Sequence, residues 1–437
     1  MGHGGLRLYA EIYGCTASLA DGEIALGLFN EAGWKIVNRP DDADLILLVT
    51  CAVKKPTSDR MLHRIKKLKT YGKKMVITGC MASGEGERIK HVAPDSILVH
   101  PRSILRIVEA VEKEIDLMDE DLVEKLDQPR VLKNKVVGIV PVSEGCRWSR
   151  CGFCIVPFTR GRFFSYQMDK IIEEAYRLIS RGVKEIWLTS QDMGSYGLDQ
   201  GRNLLPELVR KISMIPGEFW IRIGMMNPIY LKPILRDLSE VYLHPKVYKF
   251  LHLPVQTGSD KILRLMDRGY TISLFKEIVY FMKSKIDRLN LSTDIIVGYP
   301  GEDEEDFEDT LRLLREVEPD SVNISKFFPR PRTPAEKLTQ LDPKIIKERS
   351  RIITNLASSI AYKKNLRWIG WVGTALVDEV GERGEAIARN IEYKPIVLRG
   401  ENGSTLLGKW VEVEVLDARP HCLTGRLKKV LDEDDSI

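Results

Sequence analysis

Strands buried on both faces read as short, continuous apolar runs, and packed helices as apolar positions three or four residues apart. Residues 6–14 form the first such run and end in Gly14. Asp21 is placed to cap a helix in which Ile24 and Leu28 share a face, and Gly33 suits its end. Further runs follow at Asp44–Cys51, which contains Leu-Ile-Leu-Leu-Val, and at Met75–Cys80, with helical segments between them. This pattern predicts an α/β domain of parallel strands over residues 5–115. Residues 116–135 are charged and irregular and read as a linker.

A second series begins at Val136. Apolar runs recur at 136–142, 184–189, 219–225, 249–255, 292–298 and 321–328, separated by helical segments such as Met168–Ser180 and Glu304–Val317. In the latter, Phe307, Leu311 and Leu314 line one face, and its acidic first turn suits the helix dipole. Six strands alternating with helices over 136–343 predict a partial (β/α)6 barrel, since a closed eight-stranded one needs more chain. Residues 344–366 read as a helical connection. Over 367–431 the texture changes to short strands broken by Gly, Asn and Asp (373–377, 386–388, 396–398, 410–415, 423–427), the pattern of a small β-barrel.

The chain is 43% hydrophobic and 29% charged, as in soluble globular proteins. No apolar stretch approaches the roughly 20 residues of a membrane span, and no signal-like apolar segment follows the start, so a cytosolic protein without a membrane partner is expected. Net charge is only +4. Bulk electrostatics therefore do not announce nucleic-acid binding, although Arg60 to Lys74 is locally basic and suited to phosphates. A solvated helix face is the plainer reading of that stretch.

Seven cysteines in so long a chain do not make a disulfide scaffold, and the cytosol would keep them reduced. Cys15, Cys51 and Cys80 each fall at the C-terminal end of a predicted strand, where ligands bind in open parallel sheets. Three thiols far apart in sequence would then face one crevice, which suggests a shared metal site. Cys146, Cys151 and Cys154 lie in one loop directly after a predicted strand. Three thiolates from one loop bind three irons of a cubane and leave the fourth open for reaction. Structural zinc ordinarily takes four ligands, and no histidine lies between His100 and His244, so zinc would need a distant recruit. A redox pair made of Cys151 and Cys154 leaves Cys146 without a role. Cys422 reads as a spare thiol.

The cysteine loop followed by Ile155-Val-Pro157-Phe-Thr-Arg160-Gly161 resembles the cluster loop of radical S-adenosylmethionine methylthiotransferases. The likeness extends over nearly the whole chain. Tyr13-Gly-Cys15, Asp44 to Cys51 and Thr78-Gly-Cys80-Met-Ala82 are similar to that family's N-terminal domain. Leu188 to Gly197, His252 to Asp260, Thr293 to Glu302 and Phe328 to Ala335 are similar to its barrel segments, and the last seventy residues resemble the RNA-associated TRAM barrel. The family's loop usually leaves three residues between its first two cysteines, whereas four stand between Cys146 and Cys151. That places the loop path in question, not the ligand count.

The resemblance implies a transferase with two 4Fe-4S clusters and S-adenosylmethionine. Cys146, Cys151 and Cys154 would hold the radical-forming cluster, and Cys15, Cys51 and Cys80 an auxiliary cluster carrying the sulfur to be transferred. The target C–H bond has no acidic proton for a base to take, so a radical cofactor must do the hard step. Gln191, Asp192, Gln256 and Asp294, near predicted strand ends, are the expected cofactor contacts, with turn or capping roles as the alternative.

Residues Cys15 to Glu23 and Cys51 to Asp59 are most similar to the archaeal–eukaryotic branch, which implies N6-threonylcarbamoyladenosine at position 37 of tRNA as substrate. Isopentenyl-adenosine tRNA, a ribosomal-protein aspartate, and a non-catalytic iron–sulfur or zinc RNA-binding protein are the alternatives. A carboxylate-bearing substrate calls for a cationic or hydrogen-bonding partner, for which Arg222, Lys326 and Arg330 are candidates. Residues 367–437 hold ten Lys+Arg against thirteen Asp+Glu, so RNA contact there would need a local basic face, with Arg426, Lys428 and Lys429 the expected residues. A one-electron reductant and a sulfur donor are further expected partners of a monomeric enzyme.

Overall fold

The computed structural model describes residues 5–52 and 55–431. Val53 and Lys54, and the acidic stretch Asp432–Asp435, lie outside the described residues. The N-terminal unit is one parallel sheet of β1 (Arg7–Ile12), β2 (Lys35–Val37), β3 (Leu45–Thr50), β4 (Lys74–Gly79) and β5 (Ile97–Val99), in the order β2-β1-β3-β4-β5. Every residue of β3 is buried, as its continuous apolar run requires. The helix Thr16–Glu31 follows β1 with Cys15 at its N-cap. Asp21 therefore does not cap this helix. It sits in the middle of it, buried, because its carboxylate is an ion-pair partner of two cations from elsewhere in the chain.

Residues 118–135 carry no helix or strand, yet they are not slack. Lys125, Leu126 and Arg130 are buried, and Val131 N donates to Glu23 O at 3.1 Å. Where this strap crosses the helix the residue beneath is Gly27, and a β-carbon there would come within 2.1 Å of Pro129 O. Charge patterning suggests a linker; the structure shows a packed strap, because a few buried residues among many charged ones anchor it.

The central unit has six parallel strands. β6 (Val137–Pro141), β9 (Glu185–Thr189) and β10 (Trp220–Ile223) form one half, and β11 (Phe250–His252), β12 (Asn290–Val297) and β13 (Ser321–Lys326) the other. Between β6 and β9, the two-residue strands β7 (Ser143–Glu144) and β8 (Phe164–Ser165) pair antiparallel and close the base of the cysteine loop. Bonds from Ile221 N to Lys246 O (2.7 Å) and from Met226 N to His252 O (3.0 Å) join the halves into a partial barrel. Helix Glu304–Val317 begins with a capping box between Asp303 and Asp306. Among the described residues no helix is long and apolar enough to cross a membrane.

After the 24-residue helix Pro343–Leu366, the chain closes a barrel of β14 (Val372–Val380), β15 (Glu385–Asn390), β16 (Pro395–Asn402), β17 (Trp410–Ala418) and β18 (Leu423–Val430). It docks on the N-terminal ends of the central strands through aromatic side chains. Trp220 meets Trp410 edge-on at 4.6 Å, and Tyr248 meets Tyr393 at 4.8 Å; such pairs contribute about 0.5–1.5 kcal/mol each beyond their area. Lys249 N donates to Ile391 O and Asn290 Nδ2 to Glu392 O, both at 2.8 Å.

One contact in this interface is sensitive to pH. Glu185, fully buried, accepts from Trp187 Nε1 at 2.7 Å and lies beside Asp378, which is paired with Arg389. Burial first, then the Asp378 charge, pushes Glu185 up to about 8 against the pull of Arg389. At neutral pH Glu185 therefore keeps its proton. Tyr248 and Tyr393 are the other titratable groups facing the pair, and both are raised by burial. A carboxyl raised on folding contributes stability that is complete below its unfolded value of about 4.3 and is lost as pH rises through its folded value. Glu185→Gln, which is neutral at every pH, should therefore gain Tm relative to the wild type as pH rises from about 5 to about 8. A Tm difference that stays constant across that range would refute the raised carboxyl at Glu185.

Candidate active site

The cysteine loop leaves the barrel at Gly145, whose φ is 74°. A β-carbon there would sit 2.5 Å from Arg162 O, so the start and end of the loop touch at a position only glycine fits. Three contacts fix the loop against the turn after helix Asp260–Leu265. Trp148 Nε1 donates to Asp267 O at 2.6 Å, Gly152 N to Met266 O at 2.9 Å, and Arg268 to Cys151 Sγ at 3.2 Å. Ala335 N donates to Gly152 O at 2.9 Å from the barrel exit.

The three thiols lie close enough to oppose one another's ionisation. Burial raises Cys146, with Asp192, Cys154 and Cys151 adding repulsion, and burial with Cys151 pushes Cys154 up to about 12. Thiols so reluctant to ionise together suit a cationic group that deprotonates them by coordination. Among the described residues no three His, Cys, Asp or Glu side chains converge on a single metal-ion position. A cubane does not ask for that convergence, because each thiolate binds its own iron.

The N-terminal thiols stand at strand ends. Cys51 follows β3, Cys80 opens helix Cys80–Gly84 directly after β4, and Cys15 follows β1 by three residues. Cys51 and Cys80 are buried and Cys15 is exposed. Gly14, at φ 124°, allows the first two loops to meet, since a β-carbon there would lie 3.3 Å from Cys51 Cβ. Burial raises the Cys80 thiol, and the neighbouring Cys15 raises it further while Arg160 opposes both.

The two trios face each other across one packed seam. Helix Cys80–Gly84 lies on helix Val156–Arg160, with Ser83 Oγ donating to Thr159 O at 3.1 Å. A β-carbon on Gly84 would be 2.8 Å from Thr159 Cγ2. Cys154 lies close enough to Cys80 to feel its charge. From the barrel exit, buried Arg330 donates to Ala52 O, next to Cys51, and stands 3.6 Å from Glu85.

Beneath the seam is a buried ionic knot. Arg160, 1% exposed, reaches Asp21 at 2.7 Å, Glu144 at 3.2 Å and Ser18 Oγ at 3.3 Å; Lys125 Nζ reaches Asp21 at 2.7 Å and Glu144 at 2.8 Å. The N-terminal helix, the strap and the cysteine loop of the barrel thereby share one neutral quartet. Burial favours the neutral form of Glu144, but Lys125 and Arg160 outweigh it and hold the carboxyl near 2.

The expected cofactor contacts divide into two pairs. Gln191 and Asp192 follow β9. Asp192 Oδ1 accepts from Gly194 N (3.0 Å) and Asn227 N (2.9 Å), while its Oδ2 and Gln191 Oε1 are buried with no hydrogen-bond partner. Burial pushes Asp192 up to about 6. Orphaned acceptors beside Cys146 fit a site built for a polar cofactor. Gln256, at φ 75°, bridges to β12 through Asp294 O and Ile296 N, and Asp294 Oδ1 accepts from His252 and from Asn323. Gln256 and Asp294 line a cavity of about 330 Å³ with Phe153, Lys326 and Arg330.

The expected substrate contacts are scattered. Lys326 is exposed on the cavity's edge, Arg330 is engaged with the Cys51 loop, and Arg222 lies lower in the barrel. Arg426 and Lys428 converge on Glu414 at 2.6 and 3.7 Å, so the expected basic face is mixed in charge; Lys429 lies on the same strand. In the other basic stretch, Arg64 is turned inward onto Glu11 at 2.8 Å. Sequence reasoning missed Lys125, Glu144 and Arg268. Only Glu144 carried a signal, standing two residues before Cys146.

A partial parallel barrel with a three-cysteine loop after its first strand defines a radical S-adenosylmethionine enzyme. Residues 140–314 match the Radical SAM superfamily, 7–100 the uncharacterized protein family UPF0004, and 368–428 the TRAM domain. The chain is 41% identical to the probable threonylcarbamoyladenosine tRNA methylthiotransferase of Pyrococcus abyssi, over 97% of this chain and 99% of that one. It is 34% identical to the human threonylcarbamoyladenosine tRNA methylthiotransferase, over 96% of this chain and 74% of that one. The fold is similar to the radical S-adenosylmethionine methyltransferase TsrM of Kitasatospora setae, with a TM-score of 0.57 at 11% identity, covering 76% of this chain and 77% of that one. The chain belongs to the family of these archaeal and eukaryotic methylthiotransferases, and it is a transferase.

Breaking the ionic knot should loosen the molecule. Lys125→Met leaves two buried carboxylates to a single guanidinium, and losing one partner of a buried pair costs about 3–5 kcal/mol. The expected result is a lower Tm and faster proteolysis within residues 116–135. Wild-type values for both would show that the knot does not hold the strap.

Proposed function

We propose that this enzyme converts N6-threonylcarbamoyladenosine at position 37 of tRNA to its 2-methylthio derivative, using two 4Fe-4S clusters and S-adenosylmethionine. The observation that carries the reading is the apposition of two thiol trios across the seam between helices Cys80–Gly84 and Val156–Arg160, in a chain that matches its relatives over nearly its whole length. An electron carrier has no use for an iron left open by a three-cysteine loop, and methyl transfer alone asks for no second thiol set.

Cys146, Cys151 and Cys154 would hold one cluster and Cys15, Cys51 and Cys80 the other. When bound, the first cluster with S-adenosylmethionine supplies a radical able to take hydrogen from an unreactive carbon, and the second a site for the transferred sulfur. The chain's own residues orient and enclose. Arg268 donates to Cys151 and fixes its rotamer. Gln191 Oε1 and Asp192 Oδ2 offer acceptors to the cofactor. Phe153, next to Cys154 in the chain, gives the upper cavity an apolar wall beside the cysteine loop. A one-electron reductant and a sulfur donor complete the reaction of a monomeric cytosolic enzyme.

Anaerobically reconstituted protein should carry about eight irons per chain, and the Cys146, Cys151 and Cys154 triple alanine variant about four. Iron near zero, with tightly held zinc, would remove the two-cluster reading. The substrate is tested by competition among tRNAs bearing threonylcarbamoyl-adenosine, isopentenyl-adenosine or unmodified adenosine, followed by mass spectrometry of the nucleosides. The threonylcarbamoyl substrate should be methylthiolated in preference. Preference for the isopentenyl substrate would overturn the assignment and leave the chemistry standing.

A further inference from the structure

Below the upper cavity the half-barrel encloses a second one of about 420 Å³, floored by the C-terminal barrel and walled on one side by helix Pro343–Leu366. The strands present small polar side chains to it, among them Ser292, Ser321 and Asn323. Its charged groups are nearly all spent. Asp320 is taken by Lys394 at 2.9 Å and by Lys364, and Arg389 by Asp378 and Glu379.

Arg222 is the exception. Among the described residues its guanidinium makes no hydrogen bond or ion pair, and its Nε is buried without a partner. Three aromatic rings hold it instead: Trp187 at 4.9 Å, Phe250 at 5.2 Å and Tyr393 at 5.3 Å. Rings fix the plane of a guanidinium and leave its edge donors unused. A half-buried cation with unused donors, facing a cavity lined by hydroxyls and amides, is built to receive an anion.

The two cavities meet at Asn323, which lines both and donates to Asp294 at 2.8 Å. The upper cavity is walled by Phe153 of the cysteine loop. A ligand reacting there can extend an arm down the barrel past Asn323. We propose that the lower cavity receives the carboxylate-bearing arm of the modified adenine, with Arg222 as its anion contact and the specificity-determining residue. This rests on the substrate reading above and supplies the cation that Arg330, committed to the Cys51 loop, does not.

The experiment compares two anticodon stem-loop RNAs that differ only at that carboxylate, one bearing N6-threonylcarbamoyladenosine and the other its methyl ester, on cluster-loaded protein. Wild type should favour the acid in kcat/KM by about tenfold or more, as a charged hydrogen bond implies. In Arg222→Met the ratio should fall to about one, with Tm and iron content at wild-type values, and Arg222→Lys should recover part of it. Ser358→Asp, which adds a negative charge from the helix side, should lower the ratio without touching Arg222 and serves if Arg222→Met loses iron. An Arg222→Met enzyme that keeps the wild-type ratio, or that weakens both RNAs equally, overturns the assignment alone. A wild type that methylthiolates neither RNA overturns the substrate reading and this assignment with it.

Discussion

The apposition of the two thiol sites depends on the quartet Arg160, Asp21, Lys125 and Glu144. Arg160 ends the short helix that continues the cysteine loop, and Asp21 belongs to the helix that Cys15 caps. A buried guanidinium between two buried carboxylates admits very little freedom, since any displacement leaves charge unpaired at low dielectric. Replacing the quartet with apolar residues of equal volume would often serve stability as well or better. Its gain is in register: Arg160 cannot meet Asp21, Glu144 and Ser18 together unless the helix behind Cys15 and the loop behind Cys154 are in one relative position.

The C-terminal barrel is fixed by different means. Aromatic edges, backbone bonds and one carboxyl pair attach it to the lower rim of the central strands, far from the cysteine loop. Its Tyr393 nevertheless completes the ring cage around Arg222, and its Lys394 neutralises Asp320. A domain that resembles an RNA-associated module thus also closes the floor of the central cavity. Its outer strand, where Arg426 and Lys428 share Glu414, has much of its charge compensated internally.

Periodicity located β1, β3 and β4, the six central strands and the strands of the C-terminal barrel, and the strand-end positions of Cys15, Cys51 and Cys80 followed from those runs; the strands β2, β5, β7 and β8, two or three residues each, are too short to show a period. Helix Met168–Ser180 was legible to the residue. What was illegible is pairing over long sequence separations. Asp21 has the composition of a cap and becomes a buried anion only because Lys125 and Arg160 arrive from 104 and 139 residues away. Arg268 meets Cys151 across 117 residues with no local signature at either end. Residues 116–135 look solvated by charge count, and nothing local distinguishes the buried Lys125 from its exposed neighbours. The same holds for Arg222, which among the described residues pairs with no carboxylate and is held by rings that only the assembled barrel and floor bring together.

The openness of the central barrel explains the polarity of its interior. A closed eight-stranded barrel fills its axis with branched apolar side chains, because nothing else enters it. Here six strands leave a gap, and the residues facing inward from the second half are Asn290, Ser292 and Asp294 on β12 and Ser321, Asn323 and Ser325 on β13. Such side chains contribute little to a core, and β13 is buried at none of its six positions. The cost in packing is offset elsewhere, by the long helix on β13 and by the apolar face between helices and strands. An interior that turns so many polar side chains inward along two strands is shaped by what must pass through it, and the hydroxyls and amides between Asp294, held by His252 and Asn323, and Arg222 suit a polar ligand whose formal charge is met at the far end.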